Sequence, residues 1–234
     1  MKLKTKPSIH LVRGSVAHLA LENIFTIDPR FIGSIDNMRV VLLELLKKYW
    51  NKNKDKLATL NMTQSKLDFF YTETEFMLNN WLSQFSQKLL KTGLSFNEGF
   101  LKLKPITEQL YKSEELQVRG YIDAIEDFDG IRLMDYKTSK RSYVSEAYRL
   151  QLGIYALLYE IEHGKRPDKV GIYFLKDREI ILDVDDALIF NAKFQIEQVH
   201  QSTESNEICD YPMKTSPLCK WSSGQCDFYN RCFP

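Results

Sequence analysis

Two short segments of this chain carry side chains that could do chemistry together: Gly120-Tyr121-Ile122-Asp123 and Met134-Asp135-Tyr136-Lys137. Asp135 and Lys137 are two residues apart, so on a strand both point to one face while Met134 and Tyr136 point to the other. Asp123 ends the adjoining segment and can approach Asp135 across a strand pair. Two carboxylates and an ammonium on one face are costly to bury without compensation. A divalent cation between the carboxylates would remove that cost, and hard oxygen ligands suit Mg2+ or Mn2+. Such a cation can hold a phosphodiester oxygen and lower the pKa of a bound water. Lys137 would orient that water and stabilise charge developing on the phosphate. An isolated Asp-x-Lys is more commonly an ordinary surface ion pair, so the surrounding sequence must carry the argument.

Further residues extend the set. His18 follows Gly14 by four positions, which places both on one helical face. The glycine there permits close approach of another backbone, and His18 projects as a nitrogen ligand. Gln151 and Tyr155 share the same spacing and would present an amide and a phenol side by side, suited to positioning a phosphate or a base. Each of these has a plainer reading as a packed or half-buried side chain.

The elements that would position these groups are legible as patterns. Apolar residues recur at helical spacing over 11–25, 36–56 and 64–91, with Asp36 as an N-cap of the second helix, Thr63 to Ser65 capping the third and Gly93 ending it. Residues 99–110 and 115–127 are strand-like. Asp129-Gly130 marks a tight turn, and 131–137 is the returning strand. A helix over 146–163 ends at Gly164, strands follow at 170–175 and 179–182 around a turn at 176–178, and a last helix runs from Asp185 to about Ser202. The order predicts a mixed α/β (α+β) domain whose central sheet is flanked by helices. It is read as one domain over 1–234, with a helical insertion at 30–95 and a cysteine-rich tail at 205–234.

The 234 residues suffice for one substantial core. The formal net charge of +1 gives no global positive field, although a local basic groove can hide in a balanced total. No apolar run approaches the length of a bilayer span, which leaves out a membrane role. The opening Met-Lys-Leu-Lys-Thr-Lys-Pro lacks the apolar stretch of a signal peptide, so a cytoplasmic, reducing compartment is expected. All four cysteines, Cys209, Cys219, Cys226 and Cys232, fall in the last 26 residues. In a reducing compartment such a cluster favours iron–sulfur or zinc binding over disulfides. No Walker A pattern is present, so the chain shows no ATPase of its own.

In this order, Gly14-x-x-x-His18, Gly120-x-x-Asp123, Asp135-x-Lys137 and Gln151-x-x-x-Tyr155 resemble the RecB-like branch of the PD-(D/E)xK nucleases, which includes recombination nuclease domains and CRISPR adaptation exonucleases. The resemblance covers about residues 8–25 and 100–234. It implies a restriction-endonuclease-like core and a Mg2+- or Mn2+-dependent deoxyribonuclease. His18, Asp123, Asp135 and the Tyr136 carbonyl would be metal ligands, with Asp123, Asp135 and Lys137 catalytic. Gln151 and Tyr155 would position DNA, and Glu108 would be a supporting or second-metal carboxylate. The expected activity is exonucleolytic, on single-stranded DNA or DNA ends, in repair, recombination or CRISPR adaptation, with a helicase or other repair protein as a possible partner. The alternative is a non-catalytic nucleic-acid-binding or scaffold module that keeps the fold. Tyr49, Trp50, Lys52, Lys54 and Lys56 offer a wall for a strand channel, or else a solvated helix end.

Many members of that family carry a [4Fe-4S] cluster held by one cysteine before the first motif and three at the C-terminus. Cys219, Cys226 and Cys232 match the triplet. Here the first interval is Cys-x6-Cys where the family usually has Cys-x2-Cys, and no cysteine precedes Gly14. The missing ligand would come from a segment upstream of Met1 or from Cys209. Four thiolates around Zn2+, or no metal at all, are the other readings.

Overall fold

The computed structural model describes residues 5–140, 142–221 and 224–233. A first helix, α1 (Ile9–Ile24), starts where the Ser8 hydroxyl accepts the Leu11 N–H, and it buries Val12, Val16, Ala17, Ala20 and Leu21. The one-turn α2 (Pro29–Ile32) leads into α3 (Ile35–Lys52) and the short α4 (Lys54–Ala58). The cap of α3 is Ser34, whose hydroxyl takes the Asn37 N–H, and the expected cap Asp36 lies inside the first turn. Then comes the 29-residue α5 (Gln64–Thr92), ended by Gly93 in the left-handed region at φ +66°. At its start Thr63 makes no side-chain cap bond.

Residues 99–103 are helical, against the strand expected there. They belong to α6 (Phe96–Leu103), which Ser95 and Glu98 open with a reciprocal capping box. Strand β1 (Ile106–Ser113) therefore begins later than its apolar pattern suggested, and β2 (Val118–Asp127) and β3 (Ile131–Lys137) follow. Gly130, at φ +82°, makes the turn before β3. Next come α7 (Glu146–His163), β4 (Lys169–Phe174), β5 (Glu179–Asp183) and α8 (Asp186–Ser202). Ser145 caps α7 through the Tyr148 N–H, and Gly164 ends it at φ +67°. The tail holds a 3-10 turn at Ile208–Asp210, a hairpin of β6 (Lys220–Trp221) with β7 (Gly224–Gln225), and α9 (Tyr229–Cys232).

The strands form one sheet in the order β1-β2-β3-β4-β5, antiparallel except for β3 beside β4. A parallel neighbour requires a crossover, and α7 supplies it. Alternation along β3 divides two cores. Met134 and Tyr136 enter one core together with α1, α3, α5 and α6, through residues such as Val16, Leu42, Leu78, Trp81 and Phe100. Leu133 enters the other, with Ile122 and Ile172, beneath Leu152, Leu157 and Leu188 of α7 and α8. The stretch expected as an insertion thus covers one face of the sheet and α7 with α8 covers the other.

Helix α5 is fastened to the sheet along its length. Glu73 pairs with Arg13 of α1 and with Lys176 in the β4–β5 turn. Asn80 donates to the carbonyls of Leu175 at 3.0 Å and Asp177 at 2.8 Å. Lys88 reaches Glu179 at 2.9 Å and also bonds the Tyr173 hydroxyl.

Candidate active site

The hydrogen-bonded ladder between β2 and β3 stops at Ala124 opposite Met134, one step short of Asp123 and Asp135. Beyond that point the Tyr136 N–H has no strand partner on this side, and Asp123 Oδ2 accepts it at 2.7 Å. Asp123 is 9% exposed, and this bond fixes its carboxylate against β3. On the other side of β2, the register with β1 sets Glu108 opposite Asp123, between the pairs Thr107–Ala124 and Gln109–Ile122. Glu108 has φ +50°, which a residue with a Cβ rarely adopts. Ile122 and Ala124 are two apart yet enter opposite cores, so β2 turns over at Asp123. Strained backbone of this kind persists where the surroundings enforce it, and it concentrates at functional sites.

His18 enters from α1. Its Nε2 donates to the Tyr136 carbonyl at 2.8 Å, which turns Nδ1 toward Asp123 Oδ1, 3.5 Å away. His18, Glu108 and Asp123 each offer one ligand atom, and these atoms lie within 4.8 Å of one another. Among the described residues no other three His, Cys, Asp or Glu side chains gather so closely. Burial works to lower the His18 pKa, but the hydrogen bond and charge of Asp123 and the charge of Asp135 outweigh it and raise it. Burial raises the Glu108 pKa, and the Asp123 charge adds to that. Crowded, partly desolvated carboxylates beside an imidazole are a donor set that a hard divalent cation satisfies. By that test the residues present fit a hard divalent cation.

Asp135 and Lys137 share one face of β3, as their spacing predicted, and that face is the one α7 covers. Lys137 Nζ stands 2.7 Å from Asp135 Oδ2, and it donates to Gln151 Oε1 at 3.0 Å. Gln151 Nε2 donates to Asp135 Oδ1 at 3.0 Å and to the Tyr155 hydroxyl at 2.7 Å. The Tyr148 ring lies 5.0 Å beneath the Lys137 ammonium. Asp135 is 3% exposed, and its Oδ2 has the ion pair but no aligned hydrogen-bond donor. Burial and the Asp123 charge push the Asp135 pKa up to about 6, against the opposing pull of Lys137 and His18.

Several expectations change at this point. Gln151 and Tyr155, expected to position DNA, stand together: Gln151 bonds Asp135, Lys137 and Tyr155, and Tyr155 is buried. Glu108, expected as a supporting or second-metal carboxylate, stands in the same group as His18 and Asp123. The Tyr136 carbonyl is engaged by His18. Gly14 does not accommodate another part of the backbone: a Cβ there would meet only Thr138 Oγ1 at 3.7 Å, an ordinary contact. Gly120 is the tighter glycine, since a Cβ would press on the Tyr155 ring at 3.2 Å. Glu22, four residues after His18, also lines the cleft and was missed, although its helical spacing pointed to it. Arg13 was missed too. It is buried at 4% exposure, pairs with Glu73 and donates to the Thr138 carbonyl just past Lys137.

The cysteine tail gives a partial result. The β6–β7 hairpin sets Cys226 beside Cys219, whose carbonyl accepts the Cys226 N–H at 2.9 Å. Cys209 and Cys232 are exposed, and all four thiols are free. No third sulfur joins Cys219 and Cys226 in a ligand group among the described residues. The Lys6 N–H donates to Asp227 at 2.7 Å, so the tail touches the segment before α1.

A carboxylate pair split across a hairpin, an adjacent lysine and a helical histidine thus form a group of side chains that a divalent cation would satisfy. The chain belongs to the PD-(D/E)XK nuclease superfamily, whose family model matches residues 1–233. Over 71 residues it is 41% identical to Gene 69 protein of Mycobacterium phage D29, a match covering 29% of this chain and 25% of the phage protein. Among solved structures it resembles one from Eubacterium rectale named "Putative exonuclease", with a TM-score of 0.53 and 12% identity, over 98% of this chain and 76% of the other. That likeness shows the fold. Among the described residues no helix is long and apolar enough to cross a membrane.

Proposed function

We propose that this nuclease is a Mg2+- or Mn2+-dependent deoxyribonuclease of the RecB-like branch, acting exonucleolytically on single-stranded DNA or DNA ends. One observation supports this above others: His18, Glu108 and Asp123 converge on one point beside a lysine already braced by Asp135 and Gln151. His18, Asp123 and Glu108 would hold the cation, and Asp135, whose Oδ2 is paired with Lys137 at 2.7 Å, would add an oxygen ligand when the ion binds. The bound cation would supply charge for the scissile phosphate and a more acidic water. Lys137 would align the attacking water and meet the charge that builds on the phosphate oxygens. Gln151 would hold the Lys137 ammonium and the Asp135 carboxylate in register, and Tyr155 would hold Gln151. The Tyr136 carbonyl would fix the imidazole so that Nδ1 faces the ion. Repair, recombination and CRISPR adaptation all use such an activity, with a helicase or other repair protein as partner. In the tail, the paired Cys219 and Cys226 suit a structural iron–sulfur or zinc centre completed by Cys232 and a fourth ligand, and metal content in the purified protein decides between them.

The test is cleavage of end-labelled single- and double-stranded DNA with Mg2+, Mn2+ or EDTA, alongside Asp123→Ala and Lys137→Ala. Metal-dependent shortening of the strands, abolished in both variants, is the expected outcome. A folded protein that binds the cation yet leaves every DNA intact would overturn the catalytic reading in favour of a binding module.

A further inference from the structure

Of the residues expected to wall a strand channel, Tyr49 is only 6% exposed and faces the core, while Trp50 and Lys54 line a cleft with Lys47 and Tyr71. A better candidate lies on α5. A cleft of about 850 Å³ runs along this helix, and among its lining residues are Phe69, Phe76, Lys140 and Lys176. Phe69 and Phe76 are 61% and 57% exposed, unusual for phenylalanine. They are seven residues apart, so both rings stand on one side of α5, about 10 Å apart along it. Phe70 forms the wall between α5 and α1. The His10 and Phe69 rings meet its ring edge-on at 5.5 and 5.4 Å, and the Arg13 guanidinium lies 5.5 Å over it.

Charge and position both point to an occupant. Arg13, Lys140 and Lys176 line the cleft against Glu73 alone, so its balance is positive in a protein whose total is only +1. Burial lowers the His10 pKa, and the Arg13 charge lowers it further against the opposing pull of Glu73. His10 and Thr138 line both this cleft and the one holding His18, Glu108 and Lys137, so the two lie side by side. Exposed rings and a positive balance in one cleft, beside the proposed nuclease site, match an unpaired strand. Its bases have free faces to stack on the rings and its phosphates meet the positive charge. A duplex keeps its bases stacked on one another and has none to offer.

We propose that the α5 groove is the binding track for the single-stranded part of the substrate, with Phe69 and Phe76 stacking on bases and Lys140 meeting a phosphate. The proposal rests on the nuclease reading above for its place beside the site, but not for its test. Binding of fluorescein-labelled single-stranded and duplex oligonucleotides is measured by anisotropy in EDTA, where no cleavage is needed. Phe69→Ala and Phe76→Ala should each weaken single-strand binding by about tenfold and leave duplex binding unchanged. Lys140→Ala should reduce the slope of log affinity against log salt by about 0.7. The control is Phe190→Ala with Phe194→Ala, a stacked exposed pair on α8 outside this groove, which should bind like the parent. Both aromatic pairs are exposed, so these truncations leave the cores intact.

The groove assignment falls if the parent does not bind a single strand, if the α5 variants bind it as well as the parent does, or if the α8 control loses as much. If the parent cuts no DNA while the α5 variants still lose single-strand binding, the nuclease reading fails and the groove stands.

Discussion

The two sides of the site are built on opposite terms. On the α7 side, Asp135, Lys137, Gln151 and Tyr155 form a closed chain of bonds between 2.7 and 3.0 Å. One ammonium balances the one carboxylate there. On the α1 side, Glu108 and Asp123 stand together with only His18 between them, and Glu108 has a left-handed backbone at φ +50°. The first half is complete as the chain folds. The second gathers like charges at a local cost, and a cation would remove it. On the proposed reading the contrast is a division of labour: the α7 side would fix the group that acts on the water and phosphate, and the α1 side would fix the place of the ion. Because the ladder between β2 and β3 ends at Ala124 and Met134, the two halves can face each other without the sheet closing between them.

Removing the centre of the α7 side should separate these roles most sharply. Lys137→Met should cut kcat by about a hundredfold to a thousandfold, while the rise in melting temperature produced by Mn2+ persists. If Mn2+ no longer stabilises the variant, the halves are not independent and the comparison fails. Gln151→Ala should have a smaller effect of the same kind, about tenfold to a hundredfold on kcat, because Lys137 and Asp135 keep each other when the amide is gone. A change confined to KM would instead give Gln151 the DNA-positioning role its spacing first suggested.

The α7 side was largely legible in sequence, and the reason is locality. Asp135 and Lys137 share a face by strand alternation, and Gln151 and Tyr155 by helical spacing. Glu146 to His163 was readable because Gly164 supplies its left-handed end. The partners of Gln151 were not readable, since spacing gives a face and not the neighbour across it. The α1 side was harder. Nothing in Thr107-Glu108-Gln109 announces a positive φ, which arises from how β1 meets the turn in β2 at Asp123. Arg13 and Glu73 are 60 residues apart, and only the packing of α5 on α1 joins them. The strand expected over 99–103 was a misreading of local signals: apolar residues there resembled a strand, while Ser95 and Glu98 held the capping box that starts α6.

The strain at Glu108 offers a test with opposite signs in two conditions. Asn tolerates a left-handed backbone better than Glu and carries no charge. Glu108→Asn should therefore stabilise the metal-free protein, by about 1 kcal/mol, and reduce the further stabilisation given by Mn2+. Thermal unfolding in EDTA and in Mn2+ reads both. A variant less stable in EDTA would mean that Glu108 is a structural residue and that the α1 side is not held open for an ion.

The smallest expected effect on the fold concerns Gly14. Within the protein a Cβ at this position meets only Thr138 Oγ1 at 3.7 Å, and Gly14 sits inside α1, where alanine is the better helix former by about 1 kcal/mol. Gly14→Ala should therefore raise the melting temperature slightly. Gly14 also lines the cleft between His18 and Lys137. If the cleaved strand runs over this part of α1, the added methyl group should raise KM for DNA in the same variant that gains stability. Higher stability with unchanged KM would place the strand away from α1 and leave that side of the site to the ion alone. Lower stability would show that α1 packs more tightly against Thr138 than the 3.7 Å separation allows.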